Sequence, residues 1–225
     1  MAHEKGIKIN SLDDLIYSLN LYSIEQYVGL NKLNSDKPDK MIIDLDPPKS
    51  NPELCIKVAK EVKKILDRYQ ISGYPMTTGS KGLHIIIPIK PNLEYKEVRS
   101  ICKDIGSKLV SLFPNLVTLD YSLKSRVDKV LFDYTRNSDN QVTIVPYSLR
   151  ATDDCKIAVP ISWEEVDYGI LDKWNISNID ERLKTNPFPW LNYKVNDLKS
   201  MKLLNKDKEF SFLTNMPQLE HAGVS

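Results

Sequence analysis

Lys40-Met41-Ile42-Ile43-Asp44-Leu45-Asp46-Pro47-Pro48 decides how this chain is read. An apolar run leads into two aspartates two residues apart, and a proline pair closes it. A strand repeats its facing every two residues, so Asp44 and Asp46 point the same way. Neighbouring carboxylates repel unless a cation lies between them. Mg²⁺ and Mn²⁺ prefer oxygen ligands and most often handle phosphate. An Asp-x-Asp at a strand end also suits a solvated turn, so the surrounding pattern has to decide.

After the prolines, Asn51-Pro52 opens a long helix with Leu54, Val58, Val62, Ile65 and Leu66 at helical spacing. Lysines and glutamates fill its other face. Residues 71–77 read as a strand, 78–82 as a tight turn and 83–89 as a near-continuous apolar, buried strand. A second amphipathic helix covers 95–113, with Val98, Ile101, Ile105, Leu109 and Leu112 inward, and Pro114-Asn115 stops it. Residues 129–134 and 141–146 read as strands joined by a polar turn.

From Lys40 to about Tyr134 the order is therefore β-α-β-β-α-β, an α+β core of the ferredoxin-like or RNA-recognition-like kind. In that topology the first and third strands are the central pair, and the fourth flanks the first. Asp44, Asp46, the turn carrying His84, and Asp133 should then approach one another on one sheet face.

Flanking segments are helical or irregular. Ser11 opens a helix with Asp14 three residues on and Leu12, Leu15, Ile16 and Leu19 in one stripe. Residues 22–28 read as extended and 31–40 as a loop. Residues 163–174, 180–184 and 195–203 read as helices, and the tail from Asn205 is weakly specified. No internal repeat is visible.

Of the 225 residues, 41% are hydrophobic and 27% charged, which suits a soluble globular protein with a real core. A formal net charge of +1 excludes a strongly basic coat, so any nucleic-acid contact must be a local patch. Cys55, Cys102 and Cys155 lie far apart with no C-x-x-C, and read as reduced thiols rather than zinc ligands or a disulfide frame. No membrane-length apolar run and no signal-peptide core is present, which leads us to expect a cytoplasmic protein.

Three groups of residues carry chemistry. Asp44, Asp46 and Asp133 make three carboxylates, enough to bind two Mg²⁺ or Mn²⁺ ions about 3.5–4 Å apart. Asp133 also suits an edge strand facing water. Thr78-Gly79-Ser80-Lys81-Gly82-Leu83-His84 is the second group. Its glycines let the backbone approach an anion, Thr78 and Ser80 add hydroxyls, and Lys81 adds charge. His84 then opens a buried strand, where its ring could donate to a phosphate oxygen or sit as a satisfied core histidine. The loop is not a Walker motif, because the spacing is wrong. Arg126, Arg136 and Arg150 are the third group, suited to offsetting the carboxylates or clamping phosphates. Lys49, Lys57, Lys60, Lys63 and Lys64 read as a solvated helix face.

Together, Asp44-Leu-Asp-Pro, Thr78-Gly-Ser-Lys-Gly-Leu-His84 and Phe132-Asp-Tyr-Thr-Arg-Asn137 resemble the polymerase domain of bacterial and archaeal DNA ligase D, in the archaeo-eukaryotic primase superfamily. Val145-Pro-Tyr-Ser-Leu-Arg-Ala151, Val159-Pro-Ile-Ser-Trp-Glu-Glu165, and Asn20-Leu21 with Ile24-Glu25 also look like that family. The resemblance covers about residues 11–191 and implies one primase-polymerase domain over 1–225 with flanking helices.

It further implies a nucleotidyltransferase that adds NTPs or dNTPs to a primer 3′ end on primer–template DNA. Such domains use Mn²⁺ or Mg²⁺ and fill gaps during non-homologous end joining, in concert with Ku and a DNA ligase. On that pattern Asp44, Asp46 and Asp133 match the metal carboxylates. Thr78, Gly79, Ser80, Lys81, Gly82 and His84 match the nucleotide-phosphate loop, and Arg126 and Arg150 the arginines near the triphosphate. Three departures stand out. Thr78 replaces the usual Ser, Gln26-Tyr27 replaces a His, and few residues precede the first helix, where the family carries template 5′-phosphate contacts. A primase-like nucleic-acid-binding module with weak synthesis, or a metal-dependent nuclease or phosphoesterase, would use the same residues.

Overall fold

The computed structural model describes residues 7–21, 23–169 and 173–198. In chain order its elements are α1 (Leu12–Asn20), β1 (Tyr27–Gly29), β2 (Lys40–Asp46), α2 (Leu54–Arg68), β3 (Tyr74–Thr77) and β4 (Leu83–Pro88). They continue with α3 (Tyr95–Leu112), β5 (Val117–Thr118), β6 (Val130–Asp133), β7 (Val142–Ile144), α4 (Trp163–Asp167) and α5 (Ile179–Thr185).

Five strands form one sheet in the order β3-β4-β2-β6-β5. The expected pairing holds: β2 lies between β4 and β6, antiparallel to both. The two-residue β5 adds a parallel edge beside β6. Alternation along β2 explains the register. Met41, Ile43 and Leu45 oppose Ile87, Ile85 and Leu83 of β4, and all six are buried under α2 and α3. A one-residue slip would drive Asp44 and Asp46 into this apolar layer, so the register is strongly specified. Val58, Val62, Leu66, Val98, Cys102 and Leu109 supply the facing helix stripes. β3 is shorter than the expected 71–77, and α2 begins only after a turn at Pro52-Glu53.

The strands expected over 129–134 and 141–146 form as β6 and β7 with a polar turn between them, but they do not pair with each other. β7 crosses away and pairs with β1, Tyr27 opposite Ile144 and Gly29 opposite Val142. Asn137 supplies the reason. Its fully buried amide accepts from the Ile42 backbone N–H at 2.7 Å and donates to the Ile42 carbonyl at 2.7 Å. It thus takes the ladder positions on β2 that a longer β6 would need. Freed from β6, the β1–β7 ribbon lies on the other face of the large sheet, where Thr143 reaches His84.

Two helical expectations also fail. The helix expected over 163–174 ends at Asp167, and Gly169 at φ +79° follows its last turn. Around Asn196 the chain is extended, bridging Ile89 in parallel. Its side-chain amide donates to the Ser72 and Pro88 carbonyls at 3.0 and 2.8 Å. The rest of the expected 195–203 helix and the tail lie outside the described residues. α1 forms with the expected capping box, Asp14 N–H donating to Ser11 Oγ at 3.1 Å. Its stripe of Leu12, Leu15, Ile16 and Leu19 stays exposed. Among the described residues, no helix is long and apolar enough to cross a membrane.

Replacing Asn137 with Ala strips the Ile42 N–H of its side-chain partner and leaves its carbonyl only the weak Cys102 thiol donor. The expected cost is about 2–4 kcal/mol of unfolding free energy, read from chemical denaturation midpoints at unchanged m-value.

Candidate active site

Asp44 is the centre of the polar sheet face. The ladder sets it directly opposite His84 on one side and Asp133 on the other. Directly opposed residues carry side chains on one face within contact range. All three are buried, Asp44 most deeply. His84 Nε2 lies 3.4 Å from Asp44 Oδ1, and its Nδ1 lies 3.3 Å from Thr143 Oγ1. Asp46, two residues on, faces the same side and is only half-buried.

Arg136 holds this cluster together. Its Nε donates to Asp44 Oδ2 at 2.9 Å and lies 3.6 Å from Asp133 Oδ2. Asp133 Oδ1 accepts from the Thr135 N–H and hydroxyl at 2.8 and 2.7 Å, and from the Tyr121 hydroxyl. Burial would raise the Asp44 pKa, but the His84 ring and the Arg136 guanidinium outweigh it and hold that carboxyl below the usual range. Asp46 goes the other way. Burial and the Asp44 charge push its pKa up to about 6, against the pull of Arg126. Desolvation also lifts the Tyr121 phenol well above its ordinary value, with the Asp133 carboxylate adding to it.

A cleft of about 420 Å³ opens over this floor. Asp44, Asp46, Thr78, Ser80, Lys81, Gly82, His84, Arg126 and Arg150 line it, whereas Asp133 of the same sequence grouping is not among its lining residues. Gly79 lies beneath the wall rather than on it. It sits at φ +64°, and a Cβ there would meet Arg150 Cγ at 2.6 Å. The Arg150 stem therefore rests on Gly79. At Gly82 a Cβ would meet the Leu45 carbonyl at 2.9 Å, so the loop closes against β2 only with glycine. Thr78 Oγ1 donates to the Gly82 carbonyl at 3.2 Å and accepts from the Ser80 N–H at 3.3 Å. That hydroxyl closes the loop instead of facing the cleft freely. Ser80 and Lys81 are the exposed members.

Comparison with known proteins decides the family. The family model described as "LigD, primase-polymerase domain" matches residues 1–190. The chain belongs to the LigD primase-polymerase domain family. It is 29% identical over 198 residues to the bifunctional non-homologous end joining protein LigD of Bacillus subtilis, covering 87% of this chain and 32% of that protein. It is 32% identical over 175 residues to the multifunctional non-homologous end joining protein LigD of Mycolicibacterium smegmatis, covering 74% and 23%. The chain thus spans about a third or less of these relatives' lengths. Among solved structures it matches the polymerase domain from Mycobacterium tuberculosis ligase D in complex with DNA. That match has a TM-score of 0.73 and 26% identity, covering 83% of this chain and 70% of the other. The fold is the primase-polymerase fold.

Several contributors to this LigD-type cleft were not assigned from sequence. Arg136 was grouped with two other arginines, but only the fold shows it bound to Asp44. Tyr121 gives no motif signal, and Thr135, though inside the Phe132–Asn137 motif, has a role only the fold shows: both fix Asp133. Lys49 lines the cleft from the turn before α2 and does not join the solvated helix face. Lys60, Lys63 and Lys64 do lie on that face, in surface ion pairs with Asp167, Asp67 and Glu61. Tyr27 lines the cleft and donates its hydroxyl to Glu25. Glu25 also accepts from the Ala151 N–H at 2.9 Å and lies 3.3 Å from Arg150 Nε. One carboxylate thereby fixes both a phenol and a guanidinium at the rim.

The three acidic groups suit a hard divalent cation. All their donors are oxygens, and the Asp44 charge, which adds to burial in raising the Asp46 pKa, is only partly offset by Arg126 and Arg136. Among the described residues, no three His, Cys, Asp or Glu converge into a ready-made cage. The reason is visible: Arg136 spans Asp44 and Asp133, and Tyr121 and Thr135 occupy one Asp133 oxygen.

An Asp whose folded pKa lies above its unfolded value of about 3.9 destabilises the fold once pH exceeds the folded pKa. Its ionisation then costs more in the native state than in the unfolded chain. Asp46→Asn removes that cost. In metal-free buffer the variant should melt above the wild type at pH 8, and the difference should shrink between pH 6 and pH 4. Thermal scans with a chelator present check this.

Proposed function

We propose that this chain is a template-directed polymerase that adds NTPs or dNTPs to a primer 3′ end and fills gaps during non-homologous end joining. The ladder supports this most directly: Asp44 lies opposite both His84 and Asp133, on the floor of a cleft walled by the 78–84 loop and arginines. Carboxylates below and cations around the rim suit a substrate that is a polyanion at one end and a hydroxyl nucleophile at the other.

The expected reaction is in-line attack of the primer 3′-OH on the α-phosphate, with pyrophosphate leaving. Asp44, Asp46 and Asp133 would hold Mg²⁺ or Mn²⁺, which lowers the pKa of the attacking hydroxyl and neutralises charge on the phosphates. Arg126, Arg150 and Lys81 gather positive charge where the triphosphate would lie, and Arg150 can present a bidentate fork. Glu25 fixes Arg150 from behind, which lowers the entropy lost on binding. His84, held between Asp44 and Thr143, keeps a ring nitrogen at the floor beside the reacting groups. The β1–β7 ribbon roofs one side and places Tyr27 at the mouth. Ku and a separate or fused DNA ligase are the partners that end joining would supply.

A labelled primer–template, incubated with Mn²⁺ and each NTP or dNTP, tests the proposal. Extension by the wild type, reduced at least about 100-fold in Asp44→Ala, supports it. DNA binding with no extension under any metal would instead make the chain a primase-like binding module, and primer shortening would make it a nuclease.

A further inference from the structure

The polar sheet face carries a second cleft. Beyond the β1–β7 ribbon a cavity of about 370 Å³ opens over the far ends of β3 and β4. Its floor is Met76, Ile86 and Pro88, and its wall is built from Tyr74, Trp190 and Tyr193. Its size falls within the range of about 300–1,000 Å³ typical of small-ligand sites. None of the residues assigned to the polymerase site above, apart from the neighbouring ribbon residue Thr143, lies in it.

Three features specify what it would hold. First, its aromatic rings are fixed. Tyr74 meets Trp190 and Tyr193 edge-on, with centroids 6.1 Å apart in both pairs and planes at 61° and 85°. Trp190 Nε1 donates to the Ile161 carbonyl at 3.2 Å, and the Tyr74 hydroxyl accepts from the Lys194 N–H at 2.6 Å. With their polar ends satisfied by backbone, the rings offer apolar surface to the cavity, and Tyr193 remains 60% exposed. Second, the mouth is cationic. Lys32 lines it, while the acidic Asp39 is neutralised by Lys40 at 2.6 Å. Third, the cavity adjoins the catalytic cleft across the ribbon. Thr143 and Ile144 of the ribbon line both.

We propose that this cleft takes an unpaired base of single-stranded nucleic acid that runs across the ribbon from the catalytic cleft. The base would stack against the exposed Tyr193 ring, and the adjoining phosphate would face Lys32. Rings and cations along one groove are the means by which proteins hold single strands without reading sequence. An apolar protein segment would use the rings but not the cation, and would not need the shared wall. The proposal rests on the polymerase reading, since that reading brings a strand to the ribbon.

The test compares two primer–template duplexes. One has a template overhang just long enough to direct one addition, and the other has a long overhang. By fluorescence anisotropy the wild type should bind the long overhang more tightly. Tyr193→Ala should lose about tenfold of that gain, Lys32→Ala should lose part of it, and Tyr193→Phe should retain it. Extension on the short overhang should be equal in all four proteins. A 5-iodouracil placed along the long overhang should cross-link to Tyr193 or Trp190. Full retention of the overhang gain in Tyr193→Ala, or cross-links confined to other residues, overturns the proposal and leaves the cleft to a protein segment. Absence of extension in every protein would instead sink the polymerase reading, while the binding comparison still judges the cleft.

Discussion

The burial of the Asp44 carboxylate is the constraint on which the rest of this structure depends. A charge buried on the central strand of a sheet is costly unless it is paired and hydrogen-bonded. Here the compensation comes from two elements at once. β4 brings His84 Nε2 to Asp44 Oδ1 and the turn after β6 brings Arg136 Nε to Oδ2, while β6 sets the like-charged Asp133 opposite. Arg136 reaches Asp44 because Asn137, the next residue, is anchored on the Ile42 backbone. The same anchor ends β6 and sends the chain away to form the ribbon. Electrostatics at the floor and topology at the roof thus share one cause.

The two faces of the sheet divide the labour. Apolar residues of β2, β4 and β6 fix the register under α2 and α3, with no polar group to satisfy between them. That rigid layer lets the opposite face tolerate opposed charges. Asp46 shows the residual tension: burial first, and then the Asp44 charge, push its carboxyl up to about 6 against the pull of Arg126. Clustered carboxylates of this kind favour a hard cation among them. Glu25, joined to both Tyr27 and Arg150, extends the same logic to the rim.

Much of this was legible before any coordinates. Alternating apolar residues gave β2 and β4, helical stripes gave α2 and α3, and their order gave the strand pairing. The pairing in turn predicts that Asp44, His84 and Asp133 meet, as the ladder has them. Failures cluster where no periodic pattern operates. The 134–141 segment reads as a polar turn between two strands, but nothing local announces that Asn137 would occupy the ladder and keep those strands from pairing. The helix expected over 163–174 stops near Gly169, and residues 195–197 extend because Asn196 bonds to backbone distant in sequence.

The sequence by itself determined the family, the core sheet and the acidic residues at its centre. Those features rest on local spacing and on motifs short enough to read along the chain. Only the tertiary structure decided that Arg136 rather than Arg126 or Arg150 touches the carboxylates. It alone showed that Thr78 closes its own loop, and that Tyr74, Trp190 and Tyr193 meet beside the ribbon. Each of these depends on side chains far apart in sequence arriving at one point. Contact between them is set by packing and by which backbone groups remain unpaired, and neither has a period that a linear pattern could carry.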